Sequence, residues 1–355
     1  MNIKLIVVTV FIALLPVGVN AQDPLFTQYY NSPLSINPAY VGTGRNDFRM
    51  SGVYRTQWQH LPYSLKYMTI GIDKYFRGLP NVGIQVNHYR EGFLYTTQPY
   101  LLLGYIPLEE NANNNEMNSV PKLSFGMKVG FTTTRIDRSK LLFADQLSLT
   151  GITGAATAFD LNKNYQSTSP IFDASAGAMY FVGNTLFGVA LNHVNSPKTG
   201  LLNRVDTVSL PWRWTVHGGF FQKYQLFNTD VYGKINAIFN CQGKSTQLQV
   251  GYIMSMLEGA FDLTFQYKHA SFTQSHSFSI GVNLIIGHDK ELMAPDPNNR
   301  TRMGYSYDFD VTKPTNKTNG GTHELGFLWE KKLQEETCRP SYLGIDKTTY
   351  PWGYH

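Results

Sequence analysis

The 355-residue sequence has two cysteines, a charged fraction of only 15%, and no long hydrophobic run after residue 15. Two cysteines cannot build a disulfide scaffold. So few charges beside 14% aromatics exclude a disordered or acidic solvating chain. The formal charge of +5 and a pI near 8.9 come without a basic cluster, so nucleic acid is not an expected partner. Beyond the N-terminus, nothing approaches the roughly 18–20 apolar residues of a transmembrane helix. Chemical motifs are scarce as well. The nine histidines are scattered singly, without metal-ligand spacing. Gly42-Thr43-Gly44 reads as a turn because no helix follows it. No nucleophile, base and orienter stand in a usable order, so neither catalysis nor a cofactor is expected.

What is present points to strands. There are 22 Tyr, 22 Phe and 31 Gly, a composition suited to sheets and turns. At the N-terminus Asn2 and Lys4 precede an apolar run from Leu5 to Leu15, and Val19-Asn20-Ala21 offers small residues for cleavage. Residues 1–21 therefore read as a secretory signal peptide cut before Gln22, a run too short to span a bilayer. The expected product is exported, either soluble or a membrane β-barrel.

From about residue 48 to 329 the apolar residues recur with a period of two. Leu123, Phe125, Met127, Val129 and Phe131 alternate with Ser124, Gly126, Lys128 and Gly130. Phe278, Ile280, Val282 and Leu284 alternate with Ser277, Ser279, Gly281 and Asn283. A helix would scatter these around its axis, whereas a strand sorts them onto two faces. The same reading along the chain predicts about fourteen strands, several of ten or more residues, including 301–311 and 319–330 at the end. Strands of globular sandwiches are commonly about five or six residues, and tilted membrane strands about 9–11. The two longest connections, 136–170 and 195–211, both follow odd-numbered strands, and very short ones such as Gly183-Asn184 follow even strands. Long outside and short inside is the habit of outer-membrane barrels. The linkers Glu109–Val120 and His288–Arg300 break that habit. Trp58, Tyr63, Tyr75, Tyr105, Trp212 and Trp329 fall at strand ends, where aromatic girdles lie. A soluble sandwich alternates too, but strand length and the large aliphatic face favour the barrel.

The polar face is rich in Gly, Ser, Thr and Ala, as in Asp173-x-Ser175-x-Gly177 and Gly188-x-Ala190-x-Asn192. Such a lining leaves room in the lumen. The segment 22–46, with Leu25, Phe26, Tyr29, Tyr30, Ile36 and Tyr40, is the expected occupant, packed in or under the barrel. The division is thus 1–21 signal, 22–46 plug segment, 47–330 barrel and 331–355 a periplasmic tail. Cys241, read as lying in an outer turn, and Cys338 in the tail are expected to stay unpaired.

The plug segment carries Asp23, Pro24, Phe26, Gln28, Tyr29, Tyr30, Asn37, Pro38, Ala39, Tyr40 and Gly42. With these residues it resembles the opening of the PorP/SprF family of type IX secretion outer-membrane proteins of Bacteroidetes. Further likeness lies in Leu142-Phe143-Ala144-Asp145-Gln146 and in a final hairpin holding Gly304, Tyr305, Tyr307, Asp308, His323 and Glu324. Thr322 stands where the family usually has Ser. The resemblance implies a non-enzymatic barrel, set in outer-membrane lipid, that supports secretion or surface anchoring of a cargo protein held through its C-terminal domain. It also implies links to periplasmic secretion or gliding-motility components. A transporter for small hydrophobic compounds is the alternative. Loops 136–170 and 195–211 are the expected cargo contacts. Tyr350, Trp352 and Tyr354 make the tail a candidate periplasmic docking peptide.

Overall fold

The structure, a computed structural model, describes residues 23–44, 47–61, 63–76, 79–107, 122–137, 141–148, 151–152, 170–199, 208–226, 229–271, 275–286, 299–312 and 319–331. Residues 1–21, expected to be a signal peptide, lie outside them, as do Cys338, the tail residues Tyr350, Trp352 and Tyr354 and large parts of both long loops.

Fourteen antiparallel strands close into one barrel. They are β1 Phe48–Gln57, β2 Leu65–Lys74, β3 Asn81–Glu91, β4 Leu94–Tyr105, β5 Lys122–Ile136, β6 Ile171–Val182, β7 Thr185–Asn192, β8 Arg213–Leu226, β9 Thr229–Gln242, β10 Ser245–Met256, β11 Phe261–Ala270, β12 Ser275–Ile286, β13 Asn299–Asp310 and β14 Thr322–Lys331. Two-residue strand pairs, Leu147–Ser148 with Gly151–Ile152 and Lys198–Thr199 with Val208–Ser209, lie within the two long connections. β1 and β14 pair from Phe48↔Lys331 to Gln57↔Thr322, so no edge strand is left open. β1 starts at the lower end of the barrel and finishes at the upper end, and the two long connections leave the upper end.

The alternation sorts as a strand requires. On β3, Val82, Ile84 and Val86 are exposed outward while Asn81, Gln85 and Asn87 are buried inward. β12 repeats this with Phe278, Ile280, Val282 and Leu284 outside and Ser279 and Asn283 inside. The result is a belt of large apolar side chains around the barrel, far beyond what a soluble monomer exposes. Among the described residues no helix is long and apolar enough to cross a membrane. That is no constraint on crossing by strands.

Residues 23–44 occupy the lumen. Three single 3₁₀ turns, Tyr29–Asn31, Pro33–Ser35 and Pro38–Tyr40, carry the chain through it. Pro33 and Pro38 open two of the turns, where a fixed φ and a missing N–H cost nothing. The Asn37 side chain caps the third by accepting from the Ala39 N–H at 2.9 Å. Tyr29, Tyr30, Leu34, Ile36, Ala39, Tyr40 and Val41 are buried together with Tyr100, Leu102, Met179, Phe181, Leu186, Ile238, Ile253 and Leu328 of the wall. The core of this molecule is therefore its lumen.

Several details differ from the sequence reading. β13 begins at Asn299, so Arg300 belongs to the wall and is fully buried instead of ending a linker. β14 begins only at Thr322. β9 runs through Cys241, which is free and sits in a strand, not in a turn. Tyr75 is buried and Trp58 lines the upper mouth, so neither joins an outer girdle, whereas Tyr63, Tyr105 and Trp212 are exposed. The lining is also less bland than expected. Arg49, Arg300, Arg302 and Lys234 are among its largest fully buried side chains.

Candidate functional site

The upper third of the lumen holds a charged clasp. Thr27 Oγ1 donates to Asp308 at 2.8 Å, and the Thr27 and Gln28 N–H groups donate to the two oxygens of Glu324 at 2.9 and 2.5 Å. Arg55 Nη1 lies 2.8 Å from Asp308 and 3.1 Å from Glu324, and Lys268 Nζ is 2.7 Å from Asp308. Two carboxylates face two cations, all but the half-buried Lys268 buried, and each is hydrogen-bonded to the segment they surround. Charges this deep are tolerated only when so paired. The carbonyl of Thr27 accepts from Gln266 at 2.9 Å, and Gln28 Nε2 donates to the Glu324 carbonyl at 2.9 Å.

Below the clasp the contacts turn neutral. Asn31 donates to Asn283 at 3.1 Å, and Asn283 donates to the Tyr30 hydroxyl at 3.1 Å. Asn37 Nδ2 lies 3.1 Å from both the Ala178 and Val189 carbonyls and from His217 Nε2. His217 also stacks on Tyr40 with ring centroids 5.5 Å apart. Gly126 and Gly177 are required here, since a Cβ on either would collide with Pro38 or Asn37. At the lower end Arg49 donates to the Tyr40 carbonyl at 2.7 Å and pairs with Asp73 at 2.8 Å. Asp73 in turn accepts from the Gly42 N–H at 2.8 Å.

The upper mouth has its own latch. His193, just past β7, bridges Asp23 at 2.8 Å and Asp173 at 2.9 Å, and Arg213 pairs with Asp23 at 3.1 Å. Burial works against the charged His193, but the two carboxylates outweigh it and lift it to about 9. Burial likewise opposes ionised Asp23, yet His193 and Arg213 hold it well below the usual carboxylate range. Beside the latch lies an open cavity of about 490 Å³, lined among others by Leu25, Arg55, Trp58, Tyr67, Lys268 and Asp310.

The structure brings two distant groups of motif residues together. Gln28 and the intervening Thr27 meet Asp308 and Glu324, and Gln28 and Asn31 press on Gly304. Tyr29, Tyr30, Asn37, Pro38, Ala39, Tyr40 and Gly42 line the same path, as does buried Phe26, packed with Val53 and Tyr67. Asp23 and Pro24 stand at the mouth. Tyr305, Tyr307 and His323 do not join them. They face outward on β13 and β14, where the Tyr305 hydroxyl meets His323 Nδ1 at 2.8 Å. Sequence reasoning missed Arg55, Lys268, Arg49, Asp73 and His193. A signal existed for most of them: a charge at an inward position of an alternating strand needs an internal partner.

A closed barrel with a lipid-facing apolar belt and a polar interior is an outer-membrane β-barrel. Residues 18–328 match the family described as type IX secretion system membrane protein PorP/SprF. The chain belongs to that family. No curated protein matches the sequence. Among solved structures it is similar to the outer membrane protein Omp33 of Acinetobacter baumannii, at 9% identity over 81% of this chain and 98% of that one, with a TM-score of 0.40. The CymD monoaromatic hydrocarbon channel gives 11% identity over 91% and 99%, with a TM-score of 0.45. The toluene transporter TodX of P. putida gives 12% over 86% and 95%, with a TM-score of 0.43.

Proposed function

We propose that this barrel is a non-enzymatic platform of the type IX secretion machinery that retains a secreted cargo protein through its C-terminal domain. The observation that carries this reading is the filled lumen. Residues 26–41 are buried almost throughout and bonded to the wall at three levels. A barrel filled in this way works by its rims and not by conduction. The same filling weighs against the small-molecule transporter.

In this reading the upper end faces outward, and the loops 136–170 and 195–211 that leave it contact the cargo. The lower end faces the periplasm, where the tail 331–355 with Tyr350, Trp352 and Tyr354 docks secretion or motility components. A cleaved signal at 1–21 exports the chain. The test is purification of the full-length protein from its own membranes in mild detergent. A large secreted protein that stays bound, and leaves when its C-terminal domain is removed, is the expected result. Recovery of a small hydrophobic compound, with cargo secretion intact in a deletion strain, would replace this reading by the transporter.

A further inference from the structure

The outward surface carries a feature that the function proposed above does not call on. Cross-strand neighbours at the top of the apolar belt form one continuous row: Tyr307, His323, Thr56, Lys66, Arg90, Tyr95 and Arg135. Its cations are confined to β2, β3 and β5, and Lys66 stands directly opposite Arg90. Like charges paired across strands destabilise a sheet unless an anion lies between them. The described residues supply none, because among them no ion pair joins Lys66, Arg90 or Arg135 to a carboxylate. Arg90 rests on the Tyr95 ring, 5.5 Å from its centroid, and donates from Nε to the Gly92 carbonyl at 3.4 Å. That leaves its terminal nitrogens for another acceptor.

Height in the membrane says what that acceptor is. Two outward positions below Lys66 and Arg90 are Met68 and His88, and two further down are the exposed Ile70 and Val86 of the belt. The row therefore lies where acyl chains give way to headgroups. With strands about 4.8 Å apart, the three steps from β2 to β5 span about 14 Å, the scale of one large headgroup. The lower rim is different. There Lys74 and Lys331 are separated by Phe48, and Lys74 sits over the Phe76 ring at 4.9 Å.

We infer that Lys66, Arg90 and Arg135 form a binding site for the phosphate of an outer-leaflet glycolipid. Arginine suits phosphate through its planar fork of donors, and Lys66 adds a point charge. The site rests on the outward orientation of the upper end proposed above. Its test involves no cargo, so the two can fail separately.

The experiment uses full-length protein in neutral detergent, titrated with phosphorylated lipid A, dephosphorylated lipid A, phosphatidylglycerol or a poly-glutamate peptide. Bound ligand is read by native mass spectrometry. Phosphorylated lipid A is expected to be retained in preference to the other three. Each cation contributes about fivefold in affinity at a membrane surface, so K66Q/R90Q/R135Q should weaken binding on the order of a hundredfold. The single variant R135Q, at an exposed position, should weaken it about fivefold and guards against misfolding of the triple variant. K74Q/K331Q on the lower rim should leave it unchanged. Equal binding of dephosphorylated lipid A or phosphatidylglycerol, preference for the acidic peptide, or undiminished binding by both upper-rim variants would overturn the inference.

Discussion

Arg55 illustrates how one side chain carries the clasp. Its Nη1 touches Thr27, Asp308 and Glu324, and its side chain borders the open cavity at the upper mouth. Replacing it by Met leaves two buried carboxylates facing only Lys268. The expected loss is about 3–5 kcal/mol, read as a lower unfolding midpoint in detergent. Asn37→Leu should cost about 1–3 kcal/mol by the same assay, since it strips donors from two carbonyls and the cap from the third turn. His193 supplies a pH dependence. Its protonated form is favoured in the folded state, so its contribution is complete below its ordinary value of 6.5 and disappears as pH rises through about 9. Asp23 acts oppositely: its contribution holds above 3.8 and disappears as pH falls further. Protection of residues 23–28 from proteolysis should therefore be greatest between those limits. In His193→Gln the alkaline loss should vanish.

At the scale of elements, the strands were legible because lipid outside and a packed lumen inside impose a period of two on each one. That the N-terminal segment packs inside was legible too, from its aromatics and from a lining of small residues. Its partners were not. Thr27 and Asp308 are 281 positions apart in sequence, and no local periodicity reports such a pairing. Arg300 was misread for a related reason. A buried arginine next to Asn299 looks like a polar linker until the wall supplies its surroundings. The turns of the segment fit the wall at glycines, which yields a sharp test. Gly126→Val should displace the Pro38 turn and expose residues 36–41 to protease, while the barrel keeps its strand content by circular dichroism.

For the whole molecule, an occupied lumen predicts an electrically silent barrel. Reconstituted into planar bilayers, the intact protein should show no steady ion conductance. A variant lacking 23–44 should conduct, because the cavity left behind is lined by charged and amide side chains. Steady conductance from the intact protein would show that the segment leaves the lumen readily.

The clasp has one more consequence, for the order of assembly. Arg55 lies on the first strand, and Asp308 and Glu324 lie on the last two. Thr27 and Gln28 therefore bond across the joint where the two ends of the chain meet, a joint whose halves are the most distant in sequence and the slowest to find each other. Filling and closing become one event, with the leading segment serving as a template on which the final strand registers. Without it the barrel should mature more slowly even where it still forms, and pulse-chase heat-modifiability would record the delay.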